Sequence, residues 1–485
     1  MMGSQIITWV SSFVLMLFLP RYLGSVDYGR MYLAMSVTVI FEIVIDFGGR
    51  YSVTKDISRS RDAAAQILTN AMAIRSVLWV IVMAALMVFM FAAGYPPEVR
   101  ILIIIFGFAM LNETARKVLY SGYQGFELMK YPALGNIVER VFTMVFGVAA
   151  LLLGAPVYVV ALILVAGEIL NFAICVRNAG TLIPRIPSVD WKSAMASLKE
   201  ALPYFLWSIF GIIYYRVDAV MLSLMTSDEV VGWYGAAYRF FDILMFLPSI
   251  FSIAVLPVMS RLWKQEQSTM ALTTRKSVEY IVFAAIPVSI SIFFFSNDII
   301  HLFFGLEEYT QSVRVLQIFS AGLMLVYVDI ILGTAILASD KQKAWSITAF
   351  FAVLLNIGLN WFMIPFTQTH YGNGGLGAAI ATIITEFYVM IVAIIIIPGS
   401  AYSNGPVTML LKSLAGGVVM SLAVMALQSL PLHWIAQAIL GVAVYVIVCL
   451  MMKVLEPQEL EFIRNAMKIR NLRTVLVPRD RKADA

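Results

Sequence analysis

Apolar runs of about twenty residues follow one another along almost the whole chain, parted by short stretches of Gly, Pro and charge. Runs of that length match helices crossing a bilayer. The breakers place about fourteen of them, near 4–20, 30–49, 69–93, 99–121, 131–153, 156–178, 201–225, 230–258, 277–297, 312–338, 343–366, 374–398, 407–429 and 433–453. The pattern predicts an all-α polytopic membrane protein. The first run lacks a basic start and a small-residue cleavage site and meets Pro20-Arg21, so it reads as a first membrane helix and not a cleavable signal.

Basic residues orient this map. Loops that are cytoplasmic if the N-terminus is inside carry 18 Lys and Arg, Arg116 and Lys117 among them, against 4 on the other side. That asymmetry predicts that both termini are cytoplasmic and that the protein sits in the cell membrane. Trp191, Met195, Leu198 and Leu202 share one helical face, which predicts an amphipathic linker on the cytoplasmic surface. Leu460, Ile463 and Met467 repeat the pattern in a basic tail.

The chain also repeats itself weakly. Gly29 and Ala34 in the second span match Gly232 and Ala237 in the eighth. Glu127 and Lys130 match Asp340 and Lys343, and Ala161 and Glu168 match Ala379 and Glu386. Spans 1–6 thus align with spans 7–12 in the same orientation, which predicts two parallel lobes with a site between them. The expected organisation is a first lobe over 1–180, the linker over 181–200, a second lobe over 201–398, two further spans over 399–453 and the tail over 454–485.

Composition adds exclusions. The chain is 61% hydrophobic and 13% charged, about half the charged fraction of a soluble domain. Cys175 and Cys449 lie far apart in apolar runs and suggest neither a disulfide nor a metal site. The sequence has no nucleotide-binding glycine loop, no metal-spaced aspartate pair and no catalytic triad. His301, His370 and His433 fall at predicted outer edges. No enzyme activity, cofactor, metal or nucleic-acid partner is expected.

The charges inside the apolar runs carry the chemistry, because each costs roughly 3 kcal/mol there and must face a partner, a cavity or a substrate. They are Glu42 and Asp46, Arg75, Glu113, Glu139 and Arg140, Glu168, Arg216 and Asp218, Arg239 and Asp242, Asp329 and Glu386. Some have structural readings: Arg239 with Asp242 at i,i+3, Glu113 with Arg116 or Lys117, and Arg75 near enough to a helix end to snorkel. Arg140 and Arg216 are the deepest arginines. Arginine suits phosphate because its planar fork stays charged and donates paired hydrogen bonds. Asp218, about 200° round the helix from Arg216, reads as a structural group. The acids serve either to hold the cavity together or to carry protons or cations.

Leu202-Pro203-Tyr204-Phe205 with Tyr214-Tyr215-Arg216-Val217-Asp218 resembles the start of the second lobe in Wzx-type polysaccharide flippases, of the multidrug/oligosaccharidyl-lipid/polysaccharide exporter superfamily. So do the run from Val231 to Arg239 and Leu256-Pro257-Val258-Met259-Ser260-Arg261. The runs Arg21 to Gly29, Asp46-Phe47-Gly48 and Gly125-Phe126-Glu127 resemble that family's first lobe. The resemblance covers residues 10–400. Relatives usually have a basic stretch before the first span, whereas this chain begins almost inside it.

The resemblance implies two six-helix lobes in a V with two extra helices, alternating access without ATP, and a polyprenyl-diphosphate-linked oligosaccharide moved to the outer leaflet. It implies a cationic central cavity, for which Arg75, Arg140, Arg216 and Arg239 are the candidates. Arg140 and Arg216 are expected on the diphosphate, with the lipid tail along the last two spans. Membrane lipids and polysaccharide assembly proteins are the expected partners. Two alternatives stay open: a drug or cation antiporter, which Glu42, Asp46, Glu168 and Asp329 keep in view, and a peptidoglycan-precursor flippase.

Overall fold

The computed structural model describes residues 2–181, 187–305, 307–401 and 407–454, and all its regular structure there is helical. The basic tail, with the expected amphipathic run from Leu460 to Met467, lies outside the described residues. In order the α-helices are α1 (Met2–Asp46), α2 (Gly49–Arg59), α3 (Ala64–Ala92), α4 (Pro97–Gly125), α5 (Lys130–Leu152), α6 (Val157–Arg177), α7 (Trp191–Met225) and α8 (Asp228–Leu244). There follow α9 (Phe246–Gln265), α10 (Gln267–Phe304), α11 (Thr310–Ala338), α12 (Gln342–Tyr371), α13 (Gly374–Ile396), α14 (Val407–Leu427) and α15 (Trp434–Met451). Among the described residues, twelve helical runs are long and apolar enough to cross a membrane. This is a multi-span membrane protein.

Three boundaries differ from the sequence expectation. The first two spans form one helical run, α1, interrupted only where Gly24 leaves helical geometry at φ 75°. The eighth span divides at Met245 into α8 and α9, with Pro248 in the first turn of α9, where a missing N–H costs nothing. The amphipathic linker is not a separate helix. It forms the first turns of α7, started by Asp190, whose side chain accepts from the backbone N–H of Lys192 and Ser193. There Ala194 and Ala201 face the protein, while Trp191, Met195 and Leu202 point outward.

Helix pairings recur along the chain. α5 packs on α6 as α12 packs on α13, and α3 on α4 as α10 on α11. α4 packs on α6 as α11 on α13, and α1 on α5 as α7 on α12. The turns recur too. Left-handed residues precede α4 and α11 (Gly94, Gly305), α5 and α12 (Glu127, Asp340), and α6 and α13 (Gly154, Gly372). α14 and α15 pack on each other and on α10.

The first and second groups of helices close against each other at one end. A Cβ on Gly29 would lie 1.9 Å from the Asp228 carbonyl oxygen, and one on Gly232 would lie 1.9 Å from that of Ser25. Only glycine permits this approach of α1 to α8. Around it, Arg30 bridges Asp27 (3.1 Å) and Asp228 (2.9 Å). Glu308 accepts from the Ser25 N–H at 2.8 Å, and the Tyr309 hydroxyl donates to the Pro20 carbonyl at 3.0 Å.

Candidate functional site

Beyond this seal the helices part around three adjoining spaces. The first, about 400 Å³, lies among α1, α4, α5 and α6. Five acids line it (Glu42, Asp46, Glu113, Glu139, Glu168) against three bases (Arg116, Lys117, Arg140), so its wall is acid-rich. The second, about 550 Å³, is walled by apolar groups of α1, α8 and α9 such as Trp9, Phe13 and Phe246. Its polar groups include Arg140, Arg239 and Asp242. The third, about 610 Å³, is bounded mainly by α7, α11, α12 and α13, with Tyr214, Tyr215, Asp329 and Glu386 on its wall. Arg140 borders the first and second spaces; Asp46 and Lys117 border the first and third.

The four expected arginines part company. Arg140 is on the cavity wall, half-exposed, with Glu139 at 3.4 Å. Arg239 is on the wall of the second space; its Nε donates to the Tyr28 hydroxyl at 3.4 Å and its guanidinium lies 6.0 Å from the Tyr32 ring centre. Arg216 does not line any of the three spaces; it lies within electrostatic reach of Tyr32, Asp242 and Arg239. Arg75 is 4% exposed and bridges Asp46 at 2.8 Å, lining a separate small space beside the start of α7. It holds the end of α1 and does not snorkel.

The acids also sort themselves. Glu42 meets Lys117 at 2.5 Å, and Glu113 meets Arg116 at 3.0 Å and Lys117 at 3.3 Å, the pairing its own spacing predicts. Glu139 accepts from Asn171 at 2.6 Å. Glu168 keeps one buried oxygen, Oε2, without a partner. Asp218 is buried and accepts from Asn360 (2.6 Å), Tyr234 (2.8 Å) and Thr382 (2.9 Å), which join α7 to α12, α8 and α13. Asp242 lies beside Arg216 and Arg239.

Sequence reasoning missed Arg116 and Lys117 as cavity groups, having counted them in a loop. α4 continues to Gly125, more than two turns beyond, and turns both side chains onto the wall. The readable signal was Glu113, Arg116 and Lys117 at i, i+3 and i+4. Both cysteines are buried and free, and no metal-binding cluster occurs among the described residues.

The family model described as "Polysaccharide biosynthesis protein" matches residues 1–263, more than half of the chain. The chain belongs to this family. A second model, MatE, matches residues 203–362. Among curated relatives, the "Probable low-salt glycan biosynthesis flippase Agl15" of Haloferax volcanii is 24% identical over 374 residues, 75% of each chain. The "Capsular polysaccharide biosynthesis protein CapF" of Staphylococcus aureus is 24% identical over 401 residues, 81% of this chain and 96% of that one. A solved structure titled "Lipid II flippase MurJ, inward closed conformation" is similar with a TM-score of 0.77, 18% identity, and coverage of 93% of this chain and 99% of that one. At that identity it shows the shared fold.

Proposed function

We propose that the chain flips a lipid carrying a saccharide on a polyprenyl diphosphate, from the cytoplasmic to the outer leaflet, by alternating access. The observation that carries this reading is the junction of the first two spaces. There Arg140 borders both a polar cavity and the apolar one beside it, whose wall also carries Arg239. A diphosphate suits two guanidiniums, the sugars suit the wet first and third spaces, and the apolar second space suits the start of the lipid tail. Arg216, behind Arg239, adds positive potential without touching the head group. The expected tail track along the last two helices has support in an apolar groove of about 260 Å³ among α10, α11 and α14. The flippase name of one curated relative agrees with this reading.

The architecture in this reading is fourteen crossings, six in each of two lobes, 1–180 and 201–398, with spans 13 and 14 appended. The recurring pairings and turn conformations support it. Both termini are placed in the cytoplasm. Moving Arg116 and Lys117 from loop to cavity leaves the basic excess on that side intact. The Gly29–Gly232 seal is then extracytoplasmic.

A second reading is favoured by the excess of acids over bases in the first space. A peptidoglycan precursor, whose peptide can carry an amine, or an organic cation would suit that wall. The fold likeness to the lipid II flippase agrees with the precursor. Proteoliposomes containing a fluorescent polyprenyl-diphosphate saccharide, lipid II or a fluorescent organic cation separate these cargoes. Stably inserted Arg140→Ala and Arg239→Ala variants are expected to lose flipping of both diphosphate lipids. Normal flipping by both variants would sink the diphosphate role.

A further inference from the structure

Two carboxyl groups meet in the third space without a cation. Asp329 on α11 is 5% exposed, lines the space, and neither of its oxygens meets a donor. Its polar neighbour is the Glu386 carboxyl on α13, also 5% exposed, which lies within hydrogen-bonding reach. Glu386 already accepts from the Tyr214 hydroxyl at 2.7 Å. A carboxylate cannot donate, and two carboxylates this close in a low-dielectric wall cannot both stay ionised. One proton between them supplies the missing donor.

The surroundings leave no other source of compensation. α7 presents Tyr214 and Tyr215, while its Asp218 is held by neutral donors on the far side. α9 presents Ser252, bonded to Thr334 of α11 at 2.6 Å, and α12 presents Trp345 and Thr348. Glu279 of α10 is taken by Arg275 and Lys276, and α8's Asp242 lies by Arg216 and Arg239. From the first half, Asp46 and Lys117 border the space, but each is already ion-paired, to Arg75 and to Glu42.

We propose that Asp329, Glu386 and Tyr214 form a proton-carrying site in the second half, loaded from one side of the membrane and emptied to the other as the cavity switches. Loading converts one carboxylate to the acid, whose O–H donates to the other. Tyr214 steadies the acceptor. Unloading returns the proton to water when the cavity opens to the cytoplasm, so one proton enters per cargo exported and no oxidant or cofactor takes part. The coupling to cargo rests on the flippase reading; the site itself does not.

The test uses the full chain in proteoliposomes with two readouts: infrared detection of the protonated-carboxyl C=O stretch during a pH titration, and flipping of a fluorescent polyprenyl-diphosphate saccharide with and without an imposed pH gradient. Wild type is expected to show a buried carboxyl band that titrates. An acid-outside gradient of one unit is expected to raise flipping by up to roughly tenfold. Asp329→Asn and Glu386→Gln are expected to lose both the band and the acceleration, and Asp329→Glu to keep both. Tyr214→Phe is expected to keep the band at a shifted frequency. A band unchanged in Asp329→Asn and Glu386→Gln overturns the site. Acceleration that survives in both variants, or that follows a sodium gradient instead, overturns its coupling. A titrating band in a protein that flips neither diphosphate lipid supports the site and overturns the flippase reading.

Discussion

In the first half of the chain, four of the five acids on the cavity wall have a base against them: Glu42 with Lys117, Asp46 with Arg75, Glu113 with Arg116 and Glu139 with Arg140. In the second half Asp242 lies by Arg216 and Arg239, but Asp218 and Glu386 are held by neutral donors and Asp329 has none. Both arrangements answer the cost of an acid in a dry wall, by different means. A paired acid keeps its charge, because neutralising it would strand the cation. A buried acid with neither a cation nor donors against it, as Asp329, has no such anchor and is free to exchange a proton. The four pairs of the first half thus form a fixed electrostatic frame, and Asp329 with Glu386 in the second a responsive element.

The largest effect expected on this contrast comes from Arg75→Ala, which strands the partly buried Asp46 carboxylate and lowers stability by about 2–4 kcal/mol. Thermal unfolding in detergent reads it, and an added Asp46→Asn should recover most of the loss. An Arg75→Ala protein that melts with its parent would break the contrast. Next, Asp218→Ala leaves Asn360, Tyr234 and Thr382 without their acceptor and should cost about 2–4 kcal/mol. Because no cation is stranded, Asp218→Asn should be the milder change; equal losses would show that charge matters there after all. A double-mutant cycle on Glu42→Gln and Lys117→Met should return a coupling of about 1–2 kcal/mol. Strict additivity would remove that pair from the frame. Smallest, Glu127→Gly and Asp340→Gly should each add about 0.5 kcal/mol by relieving a left-handed backbone. Matching gains would sharpen the correspondence between halves, and opposite signs would break it.

How far the sequence could be read follows from these same residues. The membrane helices are legible because a run of twenty apolar residues has few other fates. The join at Gly24 is not, because one non-helical residue suffices to turn the chain without a polar loop. The break at Met245 left only Pro248 as a sign, and proline is also tolerated inside membrane helices. At the site, buried charges stand out as anomalies, but their partners come from other helices. Arg75 finds Asp46 29 residues earlier, and Tyr214 finds Glu386 172 residues later. Lys117 was misplaced because a charge near the edge of an apolar run reads as loop until the end of its helix is known.

The glycine seal carries a last consequence. Ser25 stands four residues before Gly29, and Asp228 four residues before Gly232, so each helix offers one turn of itself to the other in reciprocal fashion. Such a clasp has a single register. Shifting α1 along α8 by even one residue would bring a side chain where only a hydrogen fits, and both contacts would fail together. Closure at this end is therefore all-or-none, and the protein is built to dwell shut or gape there, with little room for a leaky state between.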